Sequence, residues 1–185
     1  MSNRTGKETH ITLVPANPGL AEYWQENRED PETRRYNPLM PSTVESLRER
    51  LSQASSDLAE YERANSYFWA IQAEGEVVGH VTLQNINRTM LTAEIGYGVS
   101  QAARGQGVGT QGVGLVAHNV FSQTLLRKLI AFVHEENLPS RKLLERLGFR
   151  QEGLLREHYL VNGIPANEAI YGLLKSDLRQ SFGES

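Results

Sequence analysis

The sequence has no cysteine, no large excess of either charge and no long apolar run. Without cysteine there is no disulfide framework, no thiol nucleophile and no thiolate metal site, which suits a reducing cytoplasm. A formal charge of -3 and a pI near 6.0 supply no overall basic field, so neither nucleic acid nor an anionic membrane is an expected partner. No apolar stretch approaches the roughly 18 residues of a membrane span. The opening MSNRTGKETH lacks the apolar core of a signal peptide, and the expected location is cytoplasmic. Low-complexity tracts and repeats are missing too. What remains is a chain of 185 residues that fits one domain over 1–185, with short polar tails and enough length to bury its own core.

Hydrophobic periodicity divides the chain. THITLVPA alternates as a strand, and Leu20, Tyr23, Trp24 and Asn27 in GLAEYWQENREDPE fall at helical spacing. TRRYNPLMP, with two prolines, is expected to be a loop. Ser42 and Glu45 fit a capping box for a helix through about Arg63, with Val44, Leu47, Leu51, Ala54 and Leu58 as its apolar stripe. From Tyr67 the period becomes two: SYFWAIQA and VVGHVTLQ flank the turn Glu74-Gly75-Glu76, and LTAEIGYGV follows as a third strand. A helix with Val113, Val116, Val120 and Phe121 as apolar residues, a strand RKLIAFVHE, a helix SRKLLERLGF and a closing strand pair complete the order β-α-α-β-β-β-α-β-α-β-β. This is an α+β chain with one crossover, from LTAEIGYGV to LIAFVHE.

The loop ARGQGVGTQG sits between a strand and a helix, where free backbone N–H groups and the positive end of the helix dipole favour a phosphate. A Walker loop is excluded, because Gly112 is followed by Val113 instead of lysine. Gly107, Gly109 and Gly112 spell G-x-G-x-x-G, and Glu135 and Glu136 lie where a ribose acid would be, so a NAD(P)-dependent oxidoreductase is one alternative. Against it, SQAAR separates Val99 from Gly105, and too few residues follow Glu136 for further parallel βαβ units.

The same glycines complete a second pattern. Arg104-x-x-Gly107-x-Gly109 between strand and helix, followed by the strand FVHEEN and by Asn137-x-x-Ser140 running into LLERLGF, resembles the GNAT superfamily of acyl-CoA-dependent N-acetyltransferases. The likeness extends from ITLVPA to EAIYGLL. NLPSRKLLERLGFRQEGLLRE is similar to the branch that acetylates ribosomal-protein N-termini, the RimJ and RimL type. The resemblance implies a GNAT fold: a mixed, mostly antiparallel sheet of six to seven strands, a splayed central parallel pair and about four flanking helices. It implies acetyl-CoA as co-substrate, an amine acceptor (a protein N-terminus or a small amine), no metal, and a homodimer as a common state of the branch.

It also implies roles by position. Arg104, Gly105, Gln106, Gly107, Val108, Gly109 and Thr110 would cradle the coenzyme A pyrophosphate through backbone amides, with charge added by Arg104. Tyr97, Gly98 and Val99 would offer a strand edge to the pantetheine arm, Asn137 would bond that arm, and Arg141 or Lys142 would meet the ribose phosphate. Glu94 sits where a glutamate acts as general base in many members, often through water; as a strand residue it equally suits a solvated face or an ion pair. His134 is an alternative base, and Tyr97 and Tyr159 are candidate acceptor-cleft residues. Many members carry a tyrosine general acid four residues before the glycine of the G-F pair, where this chain has Leu144. Ser140 would face the coenzyme sulfur instead, its hydroxyl giving a hydrogen bond to developing charge, while its place after Pro139 also suits a helix cap. The branch's aspartate after the final N-G turn is replaced by Asn167, with Glu168 beside it. The missing tyrosine also leaves open a coenzyme-binding homologue with weak catalysis.

Overall fold

A computed structural model describes residues 9–37 and 41–178. Seven strands form one sheet in the order β1-β2-β3-β4-β5-β7-β6. They are β1 (Ile11–Pro15), β2 (Tyr67–Ala73), β3 (Glu76–Asn87), β4 (Thr92–Val99), β5 (Lys128–His134), β6 (Arg150–Val161) and β7 (Ile164–Leu174). Five helices accompany them: α1 (Ala21–Glu29), α2 (Pro31–Tyr36), α3 (Val44–Gln53), α4 (Val108–Gln123) and α5 (Leu138–Leu147). All strand neighbours are antiparallel except β4 and β5, which a crossover through α4 makes parallel. One parallel pair leaves no room for a dinucleotide-binding repeat of βαβ units, which removes the NAD(P) reading.

The parallel pairing is short. Thr92, Ala93 and Glu94 face Lys128, Leu129 and Ile130; beyond them β4 runs on to Val99 and β5 to His134 without pairing to each other. Both strands thus present free edges to the space between them. Alternation along β4 then assigns each residue a side. Ala93 and Ile95 join the main core with Val113, Val116, Val120 and Phe121 of α4 and Leu144 and Leu147 of α5. Glu94, Gly96 and Gly98 face the other way, toward a smaller core of Ala21, Trp24, Leu47, Leu51 and Phe68 under α1 and α3. There His80 stacks on Phe68 with centroids 5.3 Å apart, and burial, helped by Arg28, pushes its imidazole down to about 4.

Several helix ends differ from the sequence expectation. The helix of GLAEYWQENREDPE breaks at Asp30, which precedes Pro31 and takes an extended ψ of 127°. The expected loop TRRYNPLMP begins as helix, since Asp30 accepts from Thr33 N at 2.8 Å and starts α2; Pro38, Leu39 and Met40 lie outside the described residues, as does most of the polar start. The capping box of α3 is Thr43 with Ser46, each side chain accepting the other's backbone N–H at 3.1 Å, and not Ser42 with Glu45. The helix stops at Gln53, ten residues short of Arg63, because Ser55 pairs with the start of β2 through Ser66 O and Phe68 N. Leu58 reaches the core from a separate 3₁₀ turn.

Candidate active site

Between β4 and α4 the chain makes a 3₁₀ turn at Gln101–Ala103 and then the glycine loop. Gly105 (φ 75°) and Gly107 (φ 81°) occupy the left-handed region, where a side chain would be strained. With Gly107 as its N-cap, α4 starts without a side-chain cap and without an acidic residue in its first turn. Its leading amides and the positive end of its dipole therefore face the adjoining space. A Cβ on Gly109 would lie 2.9 Å from Leu143 Cδ1 and 3.1 Å from Val99 Cγ2, so hydrogen lets β4, α4 and α5 meet here. A Cβ on Gly112 would collide with Ile71, so that glycine serves packing against β2.

The opposite wall is α5. Asn137 caps it, its Oδ1 accepting from Ser140 N at 3.2 Å, and Pro139 lies in the first turn, where its missing N–H costs nothing. Ser140 Oγ lies 2.5 Å from Tyr97 Oη, the closest link between the splayed strand β4 and α5. Burial drives the Tyr97 phenol well above its ordinary pKa, partly offset by the Ser140 hydrogen bond, so it keeps its proton at neutral pH.

These elements enclose a cavity of about 660 Å³. Tyr97, Gly98, Val99, Arg104, Gly105, Gly107, Val108, Gly109, Thr110, Asn137 and Ser140 all line it. Gln106 does not, and its amide turns back to Ala102 O at 2.8 Å. Arg141 does not either: its guanidinium donates to Tyr171 Oη, Glu135 O and Gln151 Oε1 at 3.0 to 3.2 Å, which directs it to β7 and β6. The cations of α5 on the cavity are Lys142 and Arg146. Arg146 escaped the sequence reading, although its i, i+4 spacing from Lys142 on a helix is a usable signal for a shared face. Arg104 reaches the wall, but its guanidinium is committed elsewhere: to Asp30 Oδ2 at 2.6 Å, Glu32 Oε2 at 2.7 Å and Thr33 Oγ1 at 3.2 Å. Leu144 is fully buried in the core and offers nothing to the cavity.

Glu94 lies outside the cavity lining, on the other side of β4 from Tyr97, at the point where β4 and β5 part. It accepts from Gln84 Nε2 at 2.7 Å and Asn85 Nδ2 at 2.8 Å; Asn85 has a positive φ within an irregular stretch of β3. Farther along the same sheet face are His134 and Glu168, which are register partners. The His134 ring contacts Tyr36 of α2 and Tyr159 of β6, with centroids 5.4 and 6.0 Å away. Burial lifts the Glu168 carboxyl above its ordinary range and Glu94 adds to the lift, while His158 opposes it. Asn167 plays a different part from Glu168. Its side chain accepts from Glu157 N at 2.8 Å and donates to Glu135 Oε2 at 2.7 Å, fixing the irregular stretch of β6 in which Glu157 has a φ of 49°.

Among the described residues no group of three or more histidines, aspartates and glutamates could hold a metal ion, and no helix is long and apolar enough to cross a membrane.

Comparison with known proteins agrees with this architecture. A model of the acetyltransferase (GNAT) domain matches residues 10–150. The N-acetyltransferase p20 of Bacillus licheniformis, itself uncharacterized, is 31% identical over 158 residues, which are 85% of this chain and 86% of that protein. RimJ of Mycobacterium smegmatis, solved in complex with CoA-disulfide, is 26% identical and superposes with a TM-score of 0.77 over 92% of this chain and 85% of that one. A spermidine N-acetyltransferase from Vibrio cholerae, solved with CoA and spermine, shares the fold at 20% identity and a TM-score of 0.77, over 90% of this chain and 96% of that one. A family model that spans most of the sheet, with a relative matched over nearly the whole chain, establishes that this protein belongs to the GNAT family of acetyltransferases.

Proposed function

We propose that the cavity binds acetyl-CoA and that the protein transfers the acetyl group to a primary amine, either a protein N-terminal amino group or a small-molecule amine. The observation that carries this reading is the pairing of two features in one cavity: the uncapped start of α4 at the glycine loop, and the Tyr97–Ser140 hydroxyl pair that joins the splayed strand β4 to α5. The first suits a pyrophosphate, with Lys142 and Arg146 as additional cations. The free edge of β4 at Tyr97, Gly98 and Val99 suits a peptide-like pantetheine arm, with Asn137 opposite it.

The reaction is direct attack in a ternary complex: the amine nitrogen bonds to the acetyl carbon, the carbon–sulfur bond breaks, and no cysteine exists to carry the acetyl group. Ser140 donates its hydroxyl hydrogen bond to the charge that develops on sulfur. Either hydroxyl of the Tyr97–Ser140 pair can donate to the other; with Ser140 donating to sulfur, the protonated Tyr97 donates to Ser140 and keeps that hydroxyl aimed. This pair stands in for the tyrosine absent at Leu144, and solvent supplies the thiol proton. Glu94, oriented by Gln84 and Asn85, takes the proton that the amine loses, directly or through water. An α-amino group, with an ordinary pKa near ~7.7 to 8.0, needs less of that help than a lysine-like amine near ~10.4.

The test follows thiol release from acetyl-CoA with a short peptide bearing a free N-terminus and with spermidine. Turnover with one of them, lowered about a hundredfold in Glu94→Gln, is the expected result. Coenzyme A binding with no turnover on either amine would instead favour a binding homogue that has lost catalysis.

A further inference from the structure

Arg104 opens the glycine motif, yet it makes its closest contacts 70 residues and more away in sequence. Its Nε donates to Val99 O at the free end of β4 at 3.2 Å. Its two terminal nitrogens reach Asp30 Oδ2, Glu32 Oε2 and Thr33 Oγ1, all in or capping α2. Asp30 is largely covered, at 14% side-chain exposure. Burial pushes its carboxyl upward, but hydrogen bonds from Arg104 and Thr33 prevail and hold it below its ordinary range. A planar guanidinium serves two carboxylates and a carbonyl from three nitrogens spread over a fixed plane, a reach that the single nitrogen of an ammonium lacks.

The helix held in this way matters to the cavity. Glu32, Thr33, Tyr36 and Asn37 form its α2 side, and Tyr36 also meets His134 on the sheet face that carries Glu94 and Glu168. With only six residues, α2 has too few internal hydrogen bonds to be stable without tertiary support. Asp30 and Arg104 supply that support at its start.

We propose that Arg104 is a positioning residue and not a phosphate ligand: it latches α2 to the end of β4, so that the coenzyme loop and the α2 wall of the cavity are held as one unit. The proposal rests on the reading of this cavity as the coenzyme site. It implies that a charge removed from either side of the latch has the same effect. A phosphate-binding Arg104 implies the opposite, since neutralising Asp30 would release a cation for the ligand and strengthen binding.

Titration calorimetry with coenzyme A, together with amide hydrogen exchange of residues 31–37 in the ligand-free protein, separates the two. Asp30→Asn is the informative variant, because asparagine caps a helix as well as aspartate does and only the ion pair is lost. Glu32→Gln serves as a second variant that leaves the cap untouched. Arg104→Met and Asp30→Asn should each weaken coenzyme A binding about tenfold, and the double variant should be no worse than either, as expected of one shared interaction. Exchange in α2 should accelerate in both, and Arg104→Lys should restore little. Asp30→Asn binding coenzyme A as tightly as the parent or tighter, losses that simply add, or restoration by lysine would each overturn the latch. Parent protein that binds no coenzyme A would defeat the proposed function, while exchange in α2 would still report on the latch.

Discussion

α4 and α5 both begin at the cavity, and they present opposite solutions to the same problem of free amides at a helix start. At α4 the N-cap is Gly107, which has no side chain to offer, and no acidic residue enters the first turn. At α5 Asn137 accepts from Ser140 N at 3.2 Å, and Pro139 removes another donor from the first turn. One start keeps its backbone donors available and is suited to an anion; the other spends them and holds a side chain, Ser140, in a fixed place. Under the proposed function this difference separates binding from chemistry: affinity for a pyrophosphate would belong to backbone geometry at α4, and the reacting end to hydroxyls at α5.

Substitutions at the two starts should therefore behave differently, and the largest effect is expected at α4. Gly109→Val brings a side chain against Leu143 and Val99, which should force the start of α4 away from β4 and α5 and displace its first amides. Coenzyme A affinity should fall about a thousandfold, ~4 kcal/mol, in calorimetry; near-normal affinity would mean that the α4 amides bind no phosphate. Ser140→Ala comes next. It should lower kcat about tenfold while coenzyme A affinity stays within about twofold, and Tyr97→Phe added to it should cost little more, because the two hydroxyls act as one unit. A kcat equal to that of the parent would move the chemistry away from α5. The smallest effect is expected from the cap itself: Asn137→Ala should cost about 1 kcal/mol of stability and lower the melting temperature by roughly 2 to 4 °C, with Asn137→Asp near the parent. If the alanine variant melted unchanged, α5 would not depend on its cap and the contrast with α4 would weaken.

Legibility from the sequence followed the range of the interaction. The turn at Gly105 and Gly107 and the valine stripe of α4 are local signals, and each stands in the structure where periodicity or spacing placed it; α5, expected from Ser140 with that serine as its cap, instead begins at Leu138 with Asn137 as its cap and Ser140 inside its first turn. The capping box of α3 was displaced by one residue, since Ser42–Glu45 and Thr43–Ser46 satisfy the same spacing and only packing chooses between them. The end of α3 was missed because the competing partner of Ser55 is β2, outside any local window. At the site, Arg104 was assigned by its place in a motif, but a guanidinium goes to the nearest carboxylates in space, and those lie on α2. The contact of Tyr97 with Ser140 spans 43 positions, and no periodicity reports it.

From its residues alone, this chain determined an α+β order with one crossover, a glycine loop between strand and helix, and a cysteine-free composition that rules out a thiol intermediate. These depend on backbone preference, periodicity and residue chemistry, which act over a few positions. Only the tertiary structure decided where β4 and β5 part, which cations reach the cavity and what Arg104 holds. Those outcomes depend on which side chains the folded sheet and helices bring within hydrogen-bonding distance, and distance in space is not written in distance along the chain.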